Sequence, residues 1–144
     1  MSKNGDHYGF QFDPSCKLVN GQPSLIYSCA VRRSGASNGE PLGVLGVVFN
    51  WQSLADGILH GKAFQTEEFS ESKRYFLDEN GQVLASVDTT DAGKMVQLQQ
   101  YGTLFQKETG FSFDTWEERP SLIAQATSPG FETYKTGWHA VIVV

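Results

Sequence analysis

The nine residues Gly43–Trp51, GVLGVVFNW, constrain the chain more than any other stretch. Seven apolar or glycine positions follow one another without a charge, and only Asn50 and Trp51 close the run. A strand with no polar face is normally a central one, covered on both sides of its sheet. Its two glycines, Gly43 and Gly46, also suit a strand that another group approaches closely. PSLIYSCAVRR precedes it and alternates: Leu25, Tyr27, Cys29 and Val31 fall on one face, Ile26, Ser28, Ala30 and Arg32 on the other. The Gly/Asn/Ser-rich loop SGASNGEP joins the two strands, which predicts an antiparallel pair. Trp51 then opens WQSLADGILHG, where Leu54, Ala55, Ile58 and Leu59 form a helical stripe. Gly57 weakens that helix, and Gly61 supplies its stop.

The residues on either side are less constrained. NGD, DPS and NGQP favour turns, so residues 1–22 read as a polar segment ahead of a domain spanning 23–144. SKRYFLDENGQVLAS predicts two short strands around Asp78-Glu79-Asn80-Gly81, because Asn-Gly supplies the positive φ angles of a tight hairpin. Between Val87 and Phe113 the pattern blurs. Met95, Leu98, Tyr101, Leu104 and Phe105 have helical spacing, but Gly93, Gly102 and Gly110 interrupt it. RPSLIAQATSPG and GWHAVIVV predict two final strands. Antiparallel hairpins flanking helical stretches make the fold class α+β, one sheet with helices beside it.

Length and composition narrow the function. A chain of 144 residues, 40% hydrophobic and 19% charged, suits one globular domain with a real core. Its net charge of -5 and eleven scattered Lys and Arg residues exclude the basic patch of a nucleic-acid binder. The N-terminus lacks the apolar core of a signal peptide, and no apolar run reaches the ~18 residues of a membrane helix. Cys16 and Cys29 read as two unpaired thiols, with a short-loop disulfide as the alternative outside the cytoplasm.

Several phrases resemble the Cache domains, the extracellular PAS-like sensor modules of bacterial chemoreceptors, histidine kinases and cyclic-di-GMP enzymes. They are LIYSCAVR followed by GEPLGVLGVVFNWQSLADGI, the hairpin FLDENGQVLAS, and the closing GFETYKTGWHAVIVV. The resemblance spans roughly Pro23 to Val144. It implies a PAS-like antiparallel sheet of about five to six strands with flanking helices, in which GVLGVVFNW floors a pocket. It also implies a periplasmic domain of an inner-membrane receptor, such as a methyl-accepting chemotaxis protein, used in signal transduction. The Arg-x-Trp-Tyr type motif of amino-acid-binding double-Cache receptors is absent, which fits the membrane-proximal half of such a module. The implied partners are a small polar metabolite, the signalling domains of the same receptor and a second protomer. The alternatives are a cytoplasmic PAS or GAF regulatory domain and a structural dimerisation module without a ligand.

The search for catalysis finds little. His7, His60 and His139 lie far apart in sequence, and there is no G-x-S-x-G elbow, P-loop or dinucleotide fingerprint. The pairs Glu67-Glu68 and Glu117-Glu118 read as solvated loop charges. The chain is therefore expected to be no enzyme and to carry no cofactor or metal. Pockets in such sheets are apolar with a few convergent polar groups. The candidate ligand contacts are Tyr27, Cys29, Phe49, Trp51, Tyr75, Leu77 and Trp138, with Arg32 or Arg33 as a carboxylate clamp. Asp78 is expected to cap its turn.

Overall fold

The structure is a computed structural model that describes residues 8–130 and 135–144. His7, the NGD turn and residues 131–134 of the closing aromatic turn lie outside the described residues. The chain divides into two compact units at Gln52/Ser53.

The first unit is a three-stranded antiparallel sheet of β1 (Tyr8–Cys16), β2 (Gln22–Arg32) and β3 (Pro41–Phe49), in that spatial order. β1 falls where turns were expected. Its Phe10 and Phe12 sit on one face, opposite Tyr27 and Leu25 of β2, and a bulge between Asp13 and Cys16 absorbs the Asp-Pro dipeptide. The β1–β2 turn carries Asn20 and Gly21 at φ of 58° and 77°, which suits an Asn-Gly pair. β2 and β3 pair antiparallel from Leu25↔Phe49 to Arg32↔Pro41, as their connecting loop predicts. Here β3 departs from expectation: it lies at the edge of its sheet, with Leu42, Val44, Leu45 and Val47 all more than half exposed.

The thiols are free, with Cys16 buried and Cys29 only half-buried. Cys16 lies opposite Gln22 and Cys29 opposite Tyr8. Seven residues of β2 therefore separate their levels, roughly 20 Å, where a disulfide needs Cα atoms about 6 Å apart.

Helix α1 (Trp51–Leu59) follows β3 where the apolar spacing predicts it. Its buried positions are Trp51, Ala55 and Leu59, one every fourth residue, while Leu54 and Ile58 of the expected stripe are about half exposed.

The second unit holds a five-stranded antiparallel sheet built from β4 (Lys73–Leu77), β5 (Val83–Ser86), β6 (Thr109–Trp116), β7 (Arg119–Thr127) and β8 (His139–Val143). Its order is β5-β4-β8-β7-β6, so the C-terminal strand lies at the centre. The molecule thus has two sheets where one was expected. β4 and β5 form the predicted hairpin, with Gly81 at φ 92°. Asp78 caps it as expected, its Oδ1 accepting from the backbone N–H groups of Asn80 and Gln82, each at 2.8 Å.

Register places Tyr75, Leu77, Val141, Val143 and Ile123 on one face of this sheet, all at most 5% exposed. The blurred segment covers that face. Leu98, Tyr101 and Phe105 pack on the core from two short 3-10 turns, Leu98–Tyr101 and Leu104–Gln106, with Val96 from the stretch before them, and not from one helix. Gly102 between them takes φ 58°, ψ -122°, a conformation only glycine enters easily, and this breaks the helical spacing. The strand β6 gives no inward apolar pattern: Phe111 and Phe113 are 70% and 80% exposed, and Gly110 and Ser112 face inward in their place.

Candidate functional site

Within the second unit the covering segment leaves a cavity of about 240 Å³ against the sheet. Three aromatic residues form its wall. Tyr75 is fixed by β4 at the sheet centre, Trp116 closes β6, and Tyr101 comes from the first 3-10 turn of the cover. The Tyr101 and Trp116 rings stack with centroids 5.2 Å apart, and Tyr75 leans on Trp116 at 5.3 Å.

The polar side of the cavity comes from Asp91, Lys94 and Glu117, joined by Gln97 and Gln100. Asp91 is 7% exposed. It sits in a 3-10 turn (Thr89–Asp91) capped by Asp88, whose Oδ1 accepts from the Thr90 backbone N–H at 2.9 Å and the Thr90 hydroxyl at 2.7 Å. Those bonds to its charged form hold the Asp88 carboxyl below its ordinary range. The Asp91 carboxylate accepts from Lys94 Nζ at 2.5 Å and more weakly from Ser86 Oγ at 3.4 Å. Its bond to Asp91 holds the Lys94 ammonium above the usual lysine range.

The hairpin tip and the sheet anchor the cover. Val96 N–H donates to Gly81 O at 2.8 Å, and Val83 exchanges backbone bonds with Gly93 and Lys94. Gly81 has no room for a side chain, since a Cβ there would overlap Val96 O. At the other end the buried Gln125 amide donates to Leu104 O at 3.0 Å and Lys107 O at 2.9 Å. This orientation turns Gln125 Oε1 toward His139 Nδ1, 3.1 Å away, so the neutral imidazole carries its proton on Nδ1. Thr127 Oγ1 donates to Lys107 O and lies 3.1 Å from the same nitrogen. Burial lowers the pKa of His139, and Phe105 packs edge-on against its ring.

Two buried donors at the cavity wall stand out. The Tyr75 hydroxyl and the Trp116 indole N–H have no hydrogen-bond partner among the described residues, although the two residues are 2% and 4% exposed. Burial pushes the Tyr75 hydroxyl up to about 12, partly opposed by the nearby indole N–H. Burial also raises Tyr101. Leaving a buried donor unmade costs about 1–3 kcal/mol, so a ligand or water that accepts from either is favoured.

Of the residues singled out from sequence, Tyr75 lines this cavity, and Leu77 lies fully buried beside it in the core. Trp138 is half-buried just before β8. Tyr27, Cys29 and Phe49 share one face of the first unit's sheet, and Trp51 is buried at the start of α1. Arg32 and Arg33 are engaged in the β2–β3 loop: Arg32 donates to Gly39 O at 2.8 Å and Arg33 pairs with Glu40 at 3.2 Å. Sequence reading missed Trp116, Asp91 and Lys94. The one available signal for Trp116 was the alternation of TGFSFDTW ahead of a two-residue turn. His60 Nδ1 lies 3.2 Å from the helix-end carbonyl of Asp56.

A second cavity of about 190 Å³ opens on the opposite face, lined by Ile58, Leu59, Phe64, Arg74, Phe76 and Ile142 among others. Its lining is almost wholly apolar, and Arg74 stacks over Phe64 at 5.0 Å. Among the described residues no three His, Cys, Asp or Glu side chains gather as a metal site, and no helix is long and apolar enough to cross a membrane.

No family model and no curated protein matches the chain. Solved structures do. The periplasmic sensory domain of the Campylobacter jejuni chemoreceptor Tlp1 superposes with a TM-score of 0.68 at 13% identity, over 96% of this chain and 48% of that one. The ligand-binding domain of the Pseudomonas aeruginosa amino-acid chemoreceptor PctC, solved with GABA, gives 0.66 at 16% identity over 96% and 56%. That of the Pseudomonas fluorescens chemoreceptor CtaA with L-isoleucine gives 0.63 at 13% over 96% and 52%. The chain spans about half the length of the sensory domains it matches. Its architecture, a five-stranded antiparallel sheet with a three-stranded sheet and one helix, is the Cache-type, PAS-like fold of periplasmic sensory domains.

Proposed function

We propose that the chain is a non-catalytic, extracytoplasmic sensory part of a bacterial transmembrane receptor, such as a methyl-accepting chemotaxis protein or sensor kinase. The cavity walled by Tyr75, Tyr101 and Trp116 is its ligand site. The observation that carries this reading is the pairing of an aromatic wall with a buried carboxylate, Asp91, inside a fold shared with solved sensory domains. An ammonium group next to stacked aromatic faces and a carboxylate gains both cation–π and ionic attraction. Lys94 and the two unpartnered donors suit a carboxylate at the other end of the same molecule. The ligand class is therefore a small amine or amino acid, and the cavity volume limits it to a compact one. Binding would favour one arrangement of cover and sheet, passing on no more than its differential affinity for the two.

Isothermal titration of the purified chain against GABA, L-amino acids, simple amines and organic acids tests this. Tyr75→Phe removes only an unpartnered hydroxyl, so the empty protein should melt at the same temperature or slightly higher. The same change should weaken ligand, and Asp91→Asn should weaken an amine by roughly tenfold or more. Silence across the library, or binding indifferent to both substitutions, would reject the site.

A further inference from the structure

The face of the five-stranded sheet turned away from Tyr101 and the cover holds an arginine that its surroundings do not satisfy. Side chains alternate along β4, so Tyr75 and Leu77 turn to the covered face while Arg74 and Phe76 turn to the other. β8 sets Ile142 opposite Arg74 and Ala140 opposite Phe76. These four residues form one side of the apolar cavity of about 190 Å³, and the end of α1 and the 3-10 turn Lys62–Phe64 form the other.

Arg74 is 7% exposed. Its guanidinium keeps its charge at every ordinary pH and carries five N–H donors. Phe64 lies 5.0 Å from Cζ and offers a ring face to the charge, but a ring face does not satisfy a fork of N–H groups. Among the described residues Arg74 makes no side-chain hydrogen bond and no ion pair, and its Nε is enclosed without a partner. The acidic groups that do pair engage Arg33, Lys73 and Lys94 instead. A buried cation without a counter-charge is unfavourable, and an anion that reaches it relieves that cost.

We infer that this cavity is a second binding site, for a compact aliphatic carboxylate whose head pairs with Arg74 and whose tail lies on Phe76, Ala140 and Ile142. A guanidinium fork matches a carboxylate through two parallel N–H bonds. The rest of the lining offers almost no polar surface, so everything beyond the head group must be apolar. An apolar cavity of roughly 150 Å³ holds a benzene, so about 190 Å³ takes a tail of about five or six carbons. A free amino acid fits poorly, because its ammonium would enter apolar surroundings beside a like charge. The charge preference is thus opposite to that of the cavity holding Asp91, and the inference does not rest on the reading of that cavity.

Isothermal titration of the purified chain with straight-chain carboxylates from acetate to hexanoate tests the inference. Hexanoate should bind, and each methylene removed should weaken binding about threefold, leaving acetate on the order of 100-fold weaker. Hexylamine, the same tail on a cation, should not bind. Arg74→Met keeps the apolar bulk and removes the charge. It should weaken hexanoate by about tenfold or more, while the empty protein melts at the same temperature or higher. Ala140→Leu narrows the cavity from an exposed position and should weaken hexanoate with Arg74 intact. Asp91→Asn, in the other cavity, should leave hexanoate binding unchanged. The inference is overturned if hexanoate does not bind, if acetate binds as tightly, or if Arg74→Met keeps wild-type affinity. A loss of hexanoate with Asp91→Asn but not with Arg74→Met overturns it too, and places the carboxylate in the first cavity. So does a lowered melting temperature of Arg74→Met combined with full hexanoate binding by Ala140→Leu, since the arginine then serves the fold alone.

Discussion

Replacing Gly81 by alanine should damage the second unit far more than a surface glycine change normally would. Gly81 has φ 92°, where an L side chain is strained by about 1–2 kcal/mol. The new methyl would overlap Val96 O and lie 3.1 Å from Leu98 Cγ, and the first of these is backbone that cannot swing aside. Val96 must retreat, which endangers its 2.8 Å bond to Gly81 O, worth about 1 kcal/mol net. Together these make a loss of about 2–4 kcal/mol, or roughly 10–20 °C in melting temperature for a unit of this size. Gly57→Ala is the control. Gly57 is exposed in α1, nothing lies within 4 Å of where its Cβ would stand, and alanine there should stabilise by about 0.5–1 kcal/mol. Urea unfolding followed by tryptophan fluorescence reads both variants. If Gly81→Ala unfolds within about 0.5 kcal/mol of wild type while Gly57→Ala behaves as stated, the hairpin tip does not anchor the cover and the reasoning fails.

Two further outcomes follow from local geometry. His139 has a folded pKa below its ordinary 6.5, because burial among Gln125, Thr127 and Phe105 outweighs the opposing charge of Asp78. Its unfolded state therefore takes up a proton first, so stability is full above about pH 6.5 and falls as acid is added below it; His139→Gln should flatten that slope in melting curves from pH 7.5 to 5. Glu117 and Glu118 form the two-residue β6–β7 turn with φ of 48° and 67°, positions that favour Asn-Gly. The double change Glu117→Asn, Glu118→Gly should raise stability by about 1–2 kcal/mol by urea titration, reduced slightly by loss of the exposed Lys73–Glu117 pair.

The legible part of the fold was the part written in local chemistry. The β4–β5 hairpin is carried by Asn80-Gly81 and the Asp78 cap, β2–β3 by alternation and a glycine-rich loop, and α1 by its spacing, and all lie where those signals put them. β1 and β6 were not legible. β1 holds an Asp-Pro pair that reads as a turn until a bulge absorbs it, and β6 turns its two phenylalanines outward. In neither does the sequence show which face a partner will bury.

The same distinction explains the site. Tyr75 could be picked out because a regular strand holds it, while Trp116, Tyr101, Asp91 and Lys94 meet only when an irregular cover closes over the sheet. That closure depends on single contacts at distant sequence positions, Gly81 to Val96 at one end and Gln125 to Leu104 and Lys107 at the other. Each is a bond to the backbone with no side-chain periodicity to announce it. Between those bonds the cover is held by Val96, Leu98, Tyr101 and Phe105 packed on the core at uneven spacing. The irregularity that hides these residues from sequence reading is that mixture of backbone bonds and unevenly spaced apolar contacts, which no single period describes.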